Sequence, residues 1–303
     1  MRILIAGATG MIGRKLVQSC HEKGIEVYYL TTSMSKIQDF NNFKGFYWNP
    51  KSNEIDYAAF QDVTAIINLA GVSISNRWTS KMCKEIYNSR VDAAHLIYKT
   101  LQNIPHQVTH YISASAIGIY PPSYTAMYTE DSTQKDDSFL GKTVQDWEAA
   151  AYKMKDLGIR VACIRTGVVL DAHEGAFPKL IKPIKMGFGS PLGNGKQWMS
   201  WIHIDDVVGV YLHCLKNGVS GILNAVAPNP VTNANMTKRI ADNLNKELWA
   251  PKVPRFILRL VLGKMFTLAV DGQLVYSNRL KEQKFRFHYV NIESAIKSLL
   301  NKE

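Results

Sequence analysis

The stretch RILIAGATGMIG, residues 2–13, decides the fold of this chain. Its residues 3–6 are an apolar run typical of a buried β-strand, and three glycines follow as Gly7, Gly10 and Gly13. Glycines at these positions allow a tight turn, close approach of the backbone to a diphosphate, and close contact between strand and helix. The stretch therefore predicts a strand, a turn and a helix that together bind a dinucleotide. The alternative is a glycine-rich turn without a ligand.

Short apolar runs and longer helical patterns alternate through the first two-thirds of the chain. The apolar runs lie at residues 3–6, 25–30, 65–69, 108–113 and 160–165. This alternation is typical of βαβ units, because buried parallel strands read as continuous apolar runs joined by crossover helices. Helical patterns at about 79–102 and 139–157 are candidate crossovers. We therefore expect an α/β fold: a Rossmann-type doubly wound parallel sheet with a smaller, mainly helical C-terminal substrate portion.

A change of composition after Gly167 predicts the domain boundary. Eight Gly and Pro residues lie between positions 175 and 195. Loops rich in such turn formers often lie beside active sites. We expect residues 1–170 to form an NAD(P)-binding Rossmann domain to which residues 201–228 return. Residues 171–200 and 229–303 are expected to form the substrate-binding portion.

The composition is that of an ordinary globular protein. The 303 residues are 46% hydrophobic and 20% charged, with 11 Pro and 20 Gly, which excludes a disordered chain, a collagen-like repeat and a disulfide scaffold. The four cysteines are widely spaced and are expected to be reduced thiols of a cytoplasmic protein. No signal peptide is visible, and residues 256–270 are too short to span a bilayer and predict an amphipathic helix. We expect no membrane partner and, without a cluster of ligands, no metal.

The chain is unusually basic. It carries 36 Lys and Arg against 25 Asp and Glu, a formal net charge of +11. Residues 251–303 alone hold ten Lys and Arg against four Asp and Glu. Binding to nucleic acid is one interpretation, but no recognition motif accompanies the charge. We therefore expect no nucleic-acid partner, and we interpret the surplus as favouring phosphorylated small molecules.

The end of the second apolar run bears on the choice of cofactor. A site that prefers NAD places Asp or Glu there to bind the ribose 2′-hydroxyl. This chain has Leu30-Thr31-Thr32-Ser33 instead. The absence of an acid favours NADP, whose 2′-phosphate would be accepted by hydroxyls and by cations such as Lys36 or Arg14. The alternative is that these are ordinary hydroxyls at a strand end.

The GxxGxxG spacing of the glycine turn resembles the short-chain dehydrogenase/reductase superfamily, and further motifs narrow the resemblance. They are similar to the atypical extended branch, the epimerase-family or nucleoside-diphosphate-sugar-epimerase-like proteins with a C-terminal extension. The motifs are NLAG (68–71), RWT (77–79), SRV (89–91), SASAIG (113–118), WEAA (147–150), RTGVVL (165–170) and GKQWMSWIHIDD (195–206). The extension is matched by NA (224–225), AP (227–228), TNA (232–234), GQ (272–273) and FRF (285–287). The resemblance covers nearly the whole chain.

The resemblance implies a set of NADP contacts along the carboxyl ends of the strands. The implied cofactor-binding residues are Gly7, Thr9, Gly10, Met11, Ile12, Gly13, Thr31, Thr32, Leu69, Ala70, Gly71, Glu85, Arg90 and Val168. One position departs from the family, which usually has Arg where this chain has Thr32. Loss of that cation weakens the argument for a 2′-phosphate site and leaves NAD open.

Catalysis is where the sequence departs most from the superfamily. Most of its reductases use Tyr-x-x-x-Lys, in which the lysine lowers the tyrosine pKa for proton transfer. The resemblance places Leu140 and Val144 at those positions, and neither can transfer a proton. Ser115 and Tyr120 are the best remaining candidates. The alternative is a strand-end hydrogen bond for Ser115 and loop packing over the pocket for Tyr120.

The motif at residues 195–206 contains further candidate residues of the substrate site. Trp198, Trp201 and Lys196 would line a substrate slot, and Asp205 would cap the next helix. His203, alone between apolar neighbours, is expected to be a core residue.

Two functions of different classes remain. The first is an NADP(H)-binding oxidoreductase or epimerase-like enzyme that acts on a small, phosphorylated or nucleotide-linked substrate. The second, motivated by the missing Tyr and Lys, is a non-catalytic NADP-binding module that reports redox state. The resemblance also implies a homodimer formed through the helices at 79–102 and 139–157.

Overall fold

A computed structural model of the chain describes residues 1–301; Lys302 and Glu303, which end the predicted substrate portion, lie outside the described residues. The strands are β1 (Arg2–Ala6), β2 (Glu26–Thr31), β3 (Asp39–Phe40), β4 (Phe43–Asn49), β5 (Glu54–Ile55), β6 (Val63–Asn68), β7 (His110–Ala116), β8 (Met127–Tyr128), β9 (Arg160–Thr166), β10 (Val168–Leu170), β11 (Trp198–Met199), β12 (Trp201–His203), β13 (Gly221–Ala225), β14 (Val231–Thr232) and β15 (Leu274–Val275).

The helices are α1 (Met11–Glu22), α2 (Ser80–Asn103), α3 (Phe139–Tyr152), α4 (Phe177–Lys185), α5 (Ile204–Asn217), α6 (Asn233–Asn243), α7 (Arg255–Leu262), α8 (Thr267–Val270), α9 (Asn278–Glu282) and α10 (Ile292–Leu300). Short 3₁₀ turns lie at Met34–Lys36, Tyr57–Phe60, Ile117–Ile119, Lys153–Leu157 and Gly263–Phe266. The predicted crossover helices are confirmed as α2 and α3.

One large sheet organises the first two-thirds of the chain. Across residues 1–301 its strand order is β13-β9-β7-β6-β1-β2-β4-β3, with β5 paired to β4, and all neighbours from β13 to β4 are parallel. From β1 the chain runs outward through β2 and β4 in one direction and through β6, β7, β9 and β13 in the other. This reversal is the doubly wound pattern, and it confirms the predicted Rossmann-type fold.

The sheet is covered on both faces because successive side chains of each strand point to opposite sides. In β1, Ile3 and Ile5 pack with Leu16 of α1 and Val207 of α5 in one core. Leu4 and Ala6 belong to the other core, with Ile97 of α2. All four β1 side chains are fully buried, as the continuous apolar run predicts.

A separate apolar core lies beneath the C-terminal segments. It joins Leu170, Phe177, Trp201, Met236 and Ile296, which are distant in sequence. The pairing β11-β14 connects residues 198–199 with 231–232, β10-β12 connects residues 168–170 with 201–203, and β15-β8 joins residues 274–275 to residues 127–128. Residues 168–200 and 227–300 are thereby tied to one another.

The amphipathic helix predicted over residues 256–270 is not continuous. Gly263, at φ +59°, ends α7, and a 3₁₀ turn and α8 follow. Glycine adopts a positive φ at no steric cost, so the helix can end at this residue. The apolar pattern alone does not show this end. Within residues 1–301, no helix combines the length and the hydropathy needed to cross a membrane.

Candidate cofactor and active site

The glycine turn between β1 and α1 has the close contacts that its sequence predicts. Gly7 lies at φ +85°, and a Cβ on it would fall 2.8 Å from the carbonyl carbon and oxygen of Leu69. A Cβ on Gly13 would fall 2.1 Å from the Gly7 oxygen. Gly10 is the N-cap of α1 and provides no side chain to cap it. The first N–H groups of α1 are therefore left for water or an anionic ligand.

The register of the parallel pairing places the carboxyl ends of β1, β2 and β6 side by side at one edge of the main sheet. Ala6 lies beside Leu30 and Asn68, and Asn68 lies beside Ser113. The Asn68 amide is buried, donating to the Tyr111 hydroxyl at 2.7 Å while its oxygen accepts the Ala70 N–H at 3.1 Å. Asn68 thus fixes the turn at residues 69–71 against the glycine turn.

Arg90 on α2 brings a cation to this turn. A Cβ on Gly71 would lie 3.0 Å from the Arg90 guanidinium carbon. The guanidinium donates to the carbonyls of Ile86 at 2.9 Å and Val72 at 3.3 Å, and it lies 5.2 Å from the centroid of the Trp147 ring. No carboxylate of the described residues forms an ion pair with Arg90, and burial lowers the pKa of Arg90 to about 10. Carbonyls and a ring face stabilise this charge less than an anion would.

The loop after β2 presents hydroxyls. Thr31 is buried, and its Oγ1 accepts the Ser33 N–H at 3.2 Å. The hydroxyls of Ser33 and Ser35 are 2.9 Å apart, while Thr32 and Lys36 are exposed. Acidic side chains are absent from residues 27–38.

Arg14, the other cation considered for a 2′-phosphate, has partners within the protein. It donates to the Thr9 carbonyl at 2.7 Å and pairs with Glu174. The loop that carries Glu174 also approaches α1 at Gly175, where a Cβ would lie 3.2 Å from the Met11 sulfur. This loop therefore lies across the start of α1.

The remaining predicted cofactor residues are less closely tied to the glycine turn. Val168 donates its N–H to the Ser200 carbonyl at 2.9 Å. The preceding Gly167 is required there, because a Cβ would lie 2.2 Å from the Ser200 oxygen. Glu85 is half-buried on α2. Direct contacts join the glycine turn, residues 69–71 and Arg90; none of those described joins Val168 or Glu85 to them.

A buried polar network fills the other half of the same edge. Arg165 on β9 forms a bidentate ion pair with Glu148 on α3, with N–O distances of 2.7 and 2.8 Å. Ser115 on β7 donates to Glu148 Oε1 at 2.6 Å. Arg165 also donates to the Tyr120 hydroxyl at 2.8 Å. None of these four side chains is more than 8% exposed.

The network continues beyond Tyr120 to the edge strand β13. The Tyr120 hydroxyl donates towards the Thr129 carbonyl at 3.0 Å and Asn224 Oδ1 at 2.9 Å. Burial raises the pKa of Tyr120, although the neighbouring Arg165 charge opposes the shift. Glu130 accepts the Asn224 N–H at 3.0 Å through Oε1, while its buried Oε2 has no hydrogen-bond partner among the described residues.

The two candidate catalytic residues are thus both engaged. Ser115 is 4% exposed and Tyr120 is fully buried. Their hydroxyl protons are directed to partners inside the protein, so a role in proton transfer stays a prediction. In the sequence Glu148 and Arg165 stand out only as parts of motifs. For Arg165 the available signal is a charged residue directly after the apolar run of residues 161–164; for Glu148, on a helix that also carries Lys142 and Asp146, there is no such signal.

The structure corrects two expectations near residue 200. Trp201 is fully buried in the C-terminal core, where its Nε1 donates to the Asn229 carbonyl at 3.0 Å, so it does not line an open slot. The N-cap of α5 is His203, whose Nδ1 accepts the Asp205 N–H at 3.1 Å; Asp205 itself lies in the first turn. His203 is a core residue as predicted and packs on Tyr289 with ring centroids 3.8 Å apart.

Two family sequence models together match most of the chain. The sequence model of the NAD dependent epimerase/dehydratase family matches residues 3–225. A domain of unknown function, DUF1731, matches residues 253–299.

Individual relatives match along almost their full length. The chain is 37% identical to the epimerase family protein SDR39U1 homolog, chloroplastic, of Arabidopsis thaliana, covering 99% of this chain and 87% of the relative. It is 34% identical to the epimerase family protein YfhF of Bacillus subtilis, covering 99% and 98%.

Solved structures agree with these matches. The human epimerase family protein SDR39U1 (isoform 2), crystallised with NADPH, is 30% identical with a TM-score of 0.88 and 100% coverage of both chains. UDP-glucuronic acid 4-epimerase from Bacillus cereus, in complex with UDP-glucuronic acid and NAD, has a TM-score of 0.80 over 99% of this chain and 98% of its own, at 15% identity. The second likeness concerns the fold alone.

Proposed function

The chain belongs to the NAD dependent epimerase/dehydratase family, and from that premise we propose that it binds NADP(H) at the carboxyl edge of the main sheet. We propose further that it acts there as an oxidoreductase or epimerase-like enzyme on a small, phosphorylated or nucleotide-linked substrate. The observation that carries the proposal is Arg90, a cation with no carboxylate partner among the described residues, which lies against Gly71 beside the glycine turn.

The residues at this edge fit a dinucleotide. The N-terminus of α1 and the Arg90 guanidinium together would hold a diphosphate, because both favour negative charge. Gly7 and Gly13 keep the turn free of side chains. The human relative that shares the whole fold was crystallised with NADPH, which supports the same cofactor here.

The loop after β2 supports NADP over NAD, with NAD as the alternative. Its hydroxyls at Thr32, Ser33 and Ser35 and the exposed Lys36 would accept a 2′-phosphate, and no carboxylate would repel it. Arg14 contributes less, because Glu174 already neutralises it.

The chemistry at the reacting carbon would come from the cofactor and its surroundings. When bound, the nicotinamide supplies hydride transfer to or from the substrate. Ser115 donates its proton to Glu148, so its lone pairs remain to accept a hydrogen bond from a substrate hydroxyl. Tyr120 is too deeply buried for direct contact and would position Arg165 and β13.

We propose that the segments around the C-terminal core form the substrate portion. These are residues 171–200 and those described of 229–303, with residues 201–228 belonging to the Rossmann domain. Phe177, Met236 and Ile296 of these segments share one core, which supports their grouping; Leu170 and Trp201, at the ends of the Rossmann segments, also pack into it.

A second candidate is a non-catalytic NADP-binding module that reports redox state. The completeness of the network favours it, since Ser115 and Tyr120 both give their protons to internal partners. Val144, where the resemblance places the lysine, lies in an apolar cluster with Tyr120.

One experiment separates the two candidates. The protein is incubated with NADPH deuterated at the transferred position and a panel of small carbonyl compounds, and separately with NADP⁺ and a panel of sugar nucleotides deuterated at the ring carbons. Transfer of deuterium to a carbonyl product, or from the sugar to the nicotinamide and the epimeric sugar, is measured by mass spectrometry and NMR. Transfer supports the enzyme and excludes the purely non-catalytic module. Tight retention of NADPH without transfer to any compound supports the redox module. Failure to bind either NADPH or NADH in a calorimetric titration contradicts both.

Assembly and location are further expectations. We propose a homodimer through α2 and α3, and light scattering on the purified protein would test it. The four cysteines are free thiols in the structure, which supports the proposed cytoplasmic location.

A further inference from the structure

The segment of residues 248–270 exposes large apolar side chains to an unusual extent. On α7, Phe256 is 72% exposed, Leu260 79% and Val261 66%. Only Leu258 of this helix is buried. Phe256 and Leu260 are four residues apart, so they lie on one face of the helix, away from the side that Leu258 anchors. We call Phe256, Ile257, Leu260 and Val261 the α7 surface.

The same segment carries positive charge only. Between Glu247 and Asp271 the charged residues are Lys252, Arg255, Arg259 and Lys264, and no acid interrupts them. Asp271 is the one carboxylate described beside them, 3.6 Å from Arg255. Arg259 lies over the Phe266 ring at 5.9 Å, which leaves its charge without an acidic partner among the described residues. Four of the ten Lys and Arg of residues 251–303 thus flank the α7 surface, with a single described carboxylate, Asp271, beside them.

A second exposed aromatic pair is joined to this segment. Phe188, 63% exposed, and Trp249, 68% exposed, pack edge to face with ring centroids 6.1 Å apart. Their loops are bound together, since the Ser190 hydroxyl donates to the Pro251 carbonyl at 2.7 Å. Exposed Lys182 and Lys185 precede Phe188. Apolar and cationic side chains are therefore combined in both parts of one connected region.

This combination selects the kind of partner. A polyanion such as nucleic acid would pair with the cations but would leave Phe256 and Leu260 in water. An ordinary protein interface would bury those side chains, but its core is depleted in charged residues, whereas four cations flank this helix face. A helix with apolar residues on one face and Lys or Arg beside them suits the boundary between acyl chains and anionic headgroups, where the long cationic side chains reach the headgroups.

We propose that the α7 surface binds the surface of an anionic phospholipid bilayer, with Phe256 and Leu260 inserted among the acyl chains and Arg255, Arg259 and Lys264 against the headgroups. The sequence predicted no membrane partner because no segment can span a bilayer. A short helix that lies in the interface needs no spanning length. The proposal does not depend on cofactor binding.

Vesicle co-sedimentation of the full chain tests this. Vesicles of phosphatidylcholine mixed with phosphatidylglycerol are compared with vesicles of phosphatidylcholine alone, at low and high salt. The full chain should pellet with the anionic vesicles, less at high salt, and little with the neutral ones. The variant F256S/L260S should remain in the supernatant. Replacing Arg255 and Arg259 by glutamine should weaken binding about 10- to 30-fold.

The matched control is M34S/F40S, which removes two apolar side chains that are 68% and 65% exposed, one in the turn after β2 and one on the edge strand β3. It should bind like the unmodified chain, and thermal unfolding should show that both double variants are folded. The proposal is overturned if the unmodified chain stays in solution at low salt, or if F256S/L260S pellets equally well. It is also overturned if light scattering shows that F256S/L260S converts an oligomer to a monomer while no vesicle binding occurs, because a second copy of the chain then covers the surface.

Discussion

Arg90 and Arg165 lie at the carboxyl edge of the same sheet, yet their surroundings differ. Arg165 is held by both oxygens of Glu148 and by the Tyr120 hydroxyl. Arg90 is held by two backbone carbonyls and the face of Trp147. The contrast extends to their pKa values: burial lowers the pKa of Arg90, whereas the bonds to Glu148 outweigh burial and raise that of Arg165.

The difference teaches which half of the edge is built to receive a ligand. A charge withdrawn from water without a counterion costs stability, and proteins retain such groups where function requires them. In the half that contains Arg165, the closed half, Glu148 balances the cation within the protein. In the half that contains Arg90, the open half, the cation is balanced only when an anion binds. Removing Glu148, the partner of Arg165, should therefore lower the stability of the protein. Removing Arg90 should leave stability unchanged or higher and weaken cofactor binding.

The largest expected effect comes from Glu148→Ala. It leaves Arg165 buried without its partner, which should lower the free energy of unfolding by about 3–5 kcal/mol. Urea denaturation measures this. Asp146→Ala, which removes an exposed carboxylate of the same helix, is the control and should cost less than about 1 kcal/mol. Equal losses in the two variants would show that the network is not a closed unit.

Arg90→Met should show the reverse pattern. Stability should be unchanged or higher, since a cation without a carboxylate partner is removed. The dissociation constant for NADPH should rise about 10- to 100-fold, because a hydrogen bond to a charged group contributes about 1.5–3 kcal/mol. Calorimetry and thermal unfolding measure the two quantities, with Lys84→Met on the same helix as the control. Unchanged affinity would remove Arg90 from the cofactor site.

Gly13→Ala tests the glycine turn that adjoins Arg90. Its Cβ would meet the Gly7 oxygen at 2.1 Å, so the turn must shift, at a cost of about 1–3 kcal/mol in stability. The shift should also weaken NADPH binding. Gly118→Ala, where a Cβ would meet nothing within 4 Å, should leave both quantities unchanged. A fully stable Gly13→Ala variant with normal affinity would contradict the described contact.

Thr32→Glu sharpens the identity of the cofactor. A carboxylate near the ribose should repel a 2′-phosphate by about 1 kcal/mol and favour a free hydroxyl. The ratio of NADPH to NADH affinity should fall several-fold, measured by titration with each. Thr32→Gln controls for size. If the ratio does not change, the loop after β2 does not contact that end of the cofactor.

The smallest expected effect on stability comes from Glu130, whose buried Oε2 has no hydrogen-bond partner among the described residues. Burial raises the pKa of Glu130, so the stability contributed by its protonated form is fully present below the unfolded pKa of 4.5 and is lost as pH rises through the folded pKa. Glu130→Gln should gain less than about 1 kcal/mol at pH 8 and nothing at about pH 4. A gain at low pH only would contradict the sign of the shift.

The open half could be predicted from the sequence more fully than the closed half. Glycine spacing directly after a strand has one dominant physical reason, so Gly7, Gly10 and Gly13 indicated both the turn and its ligand. The pairing of Ser115, Glu148 and Arg165 depends on the register of β7 with β9 and on the packing of α3, which local patterns do not specify. For the same reason local patterns predict Tyr120 as a free donor, whereas it is fully buried in the structure.

Two other differences have local causes. The apolar pattern of residues 256–270 is consistent with a continuous helix, and only the backbone of Gly263 shows where it ends. The side chain of His203, and not that of Asp205, caps α5. Both side chains can accept a backbone N–H, but His203 occupies the N-cap position and Asp205 lies in the first turn.

A crystal structure of the full chain with NADP(H) tests the central claim most directly. The account predicts diphosphate oxygens at about 2.7–3.2 Å from the Arg90 guanidinium and from the first N–H groups of α1, with the bonds among Ser115, Glu148 and Arg165 unchanged. A diphosphate bound away from Arg90, or a Glu148 that leaves Arg165 to contact the ligand, would contradict the division into an open and a closed half.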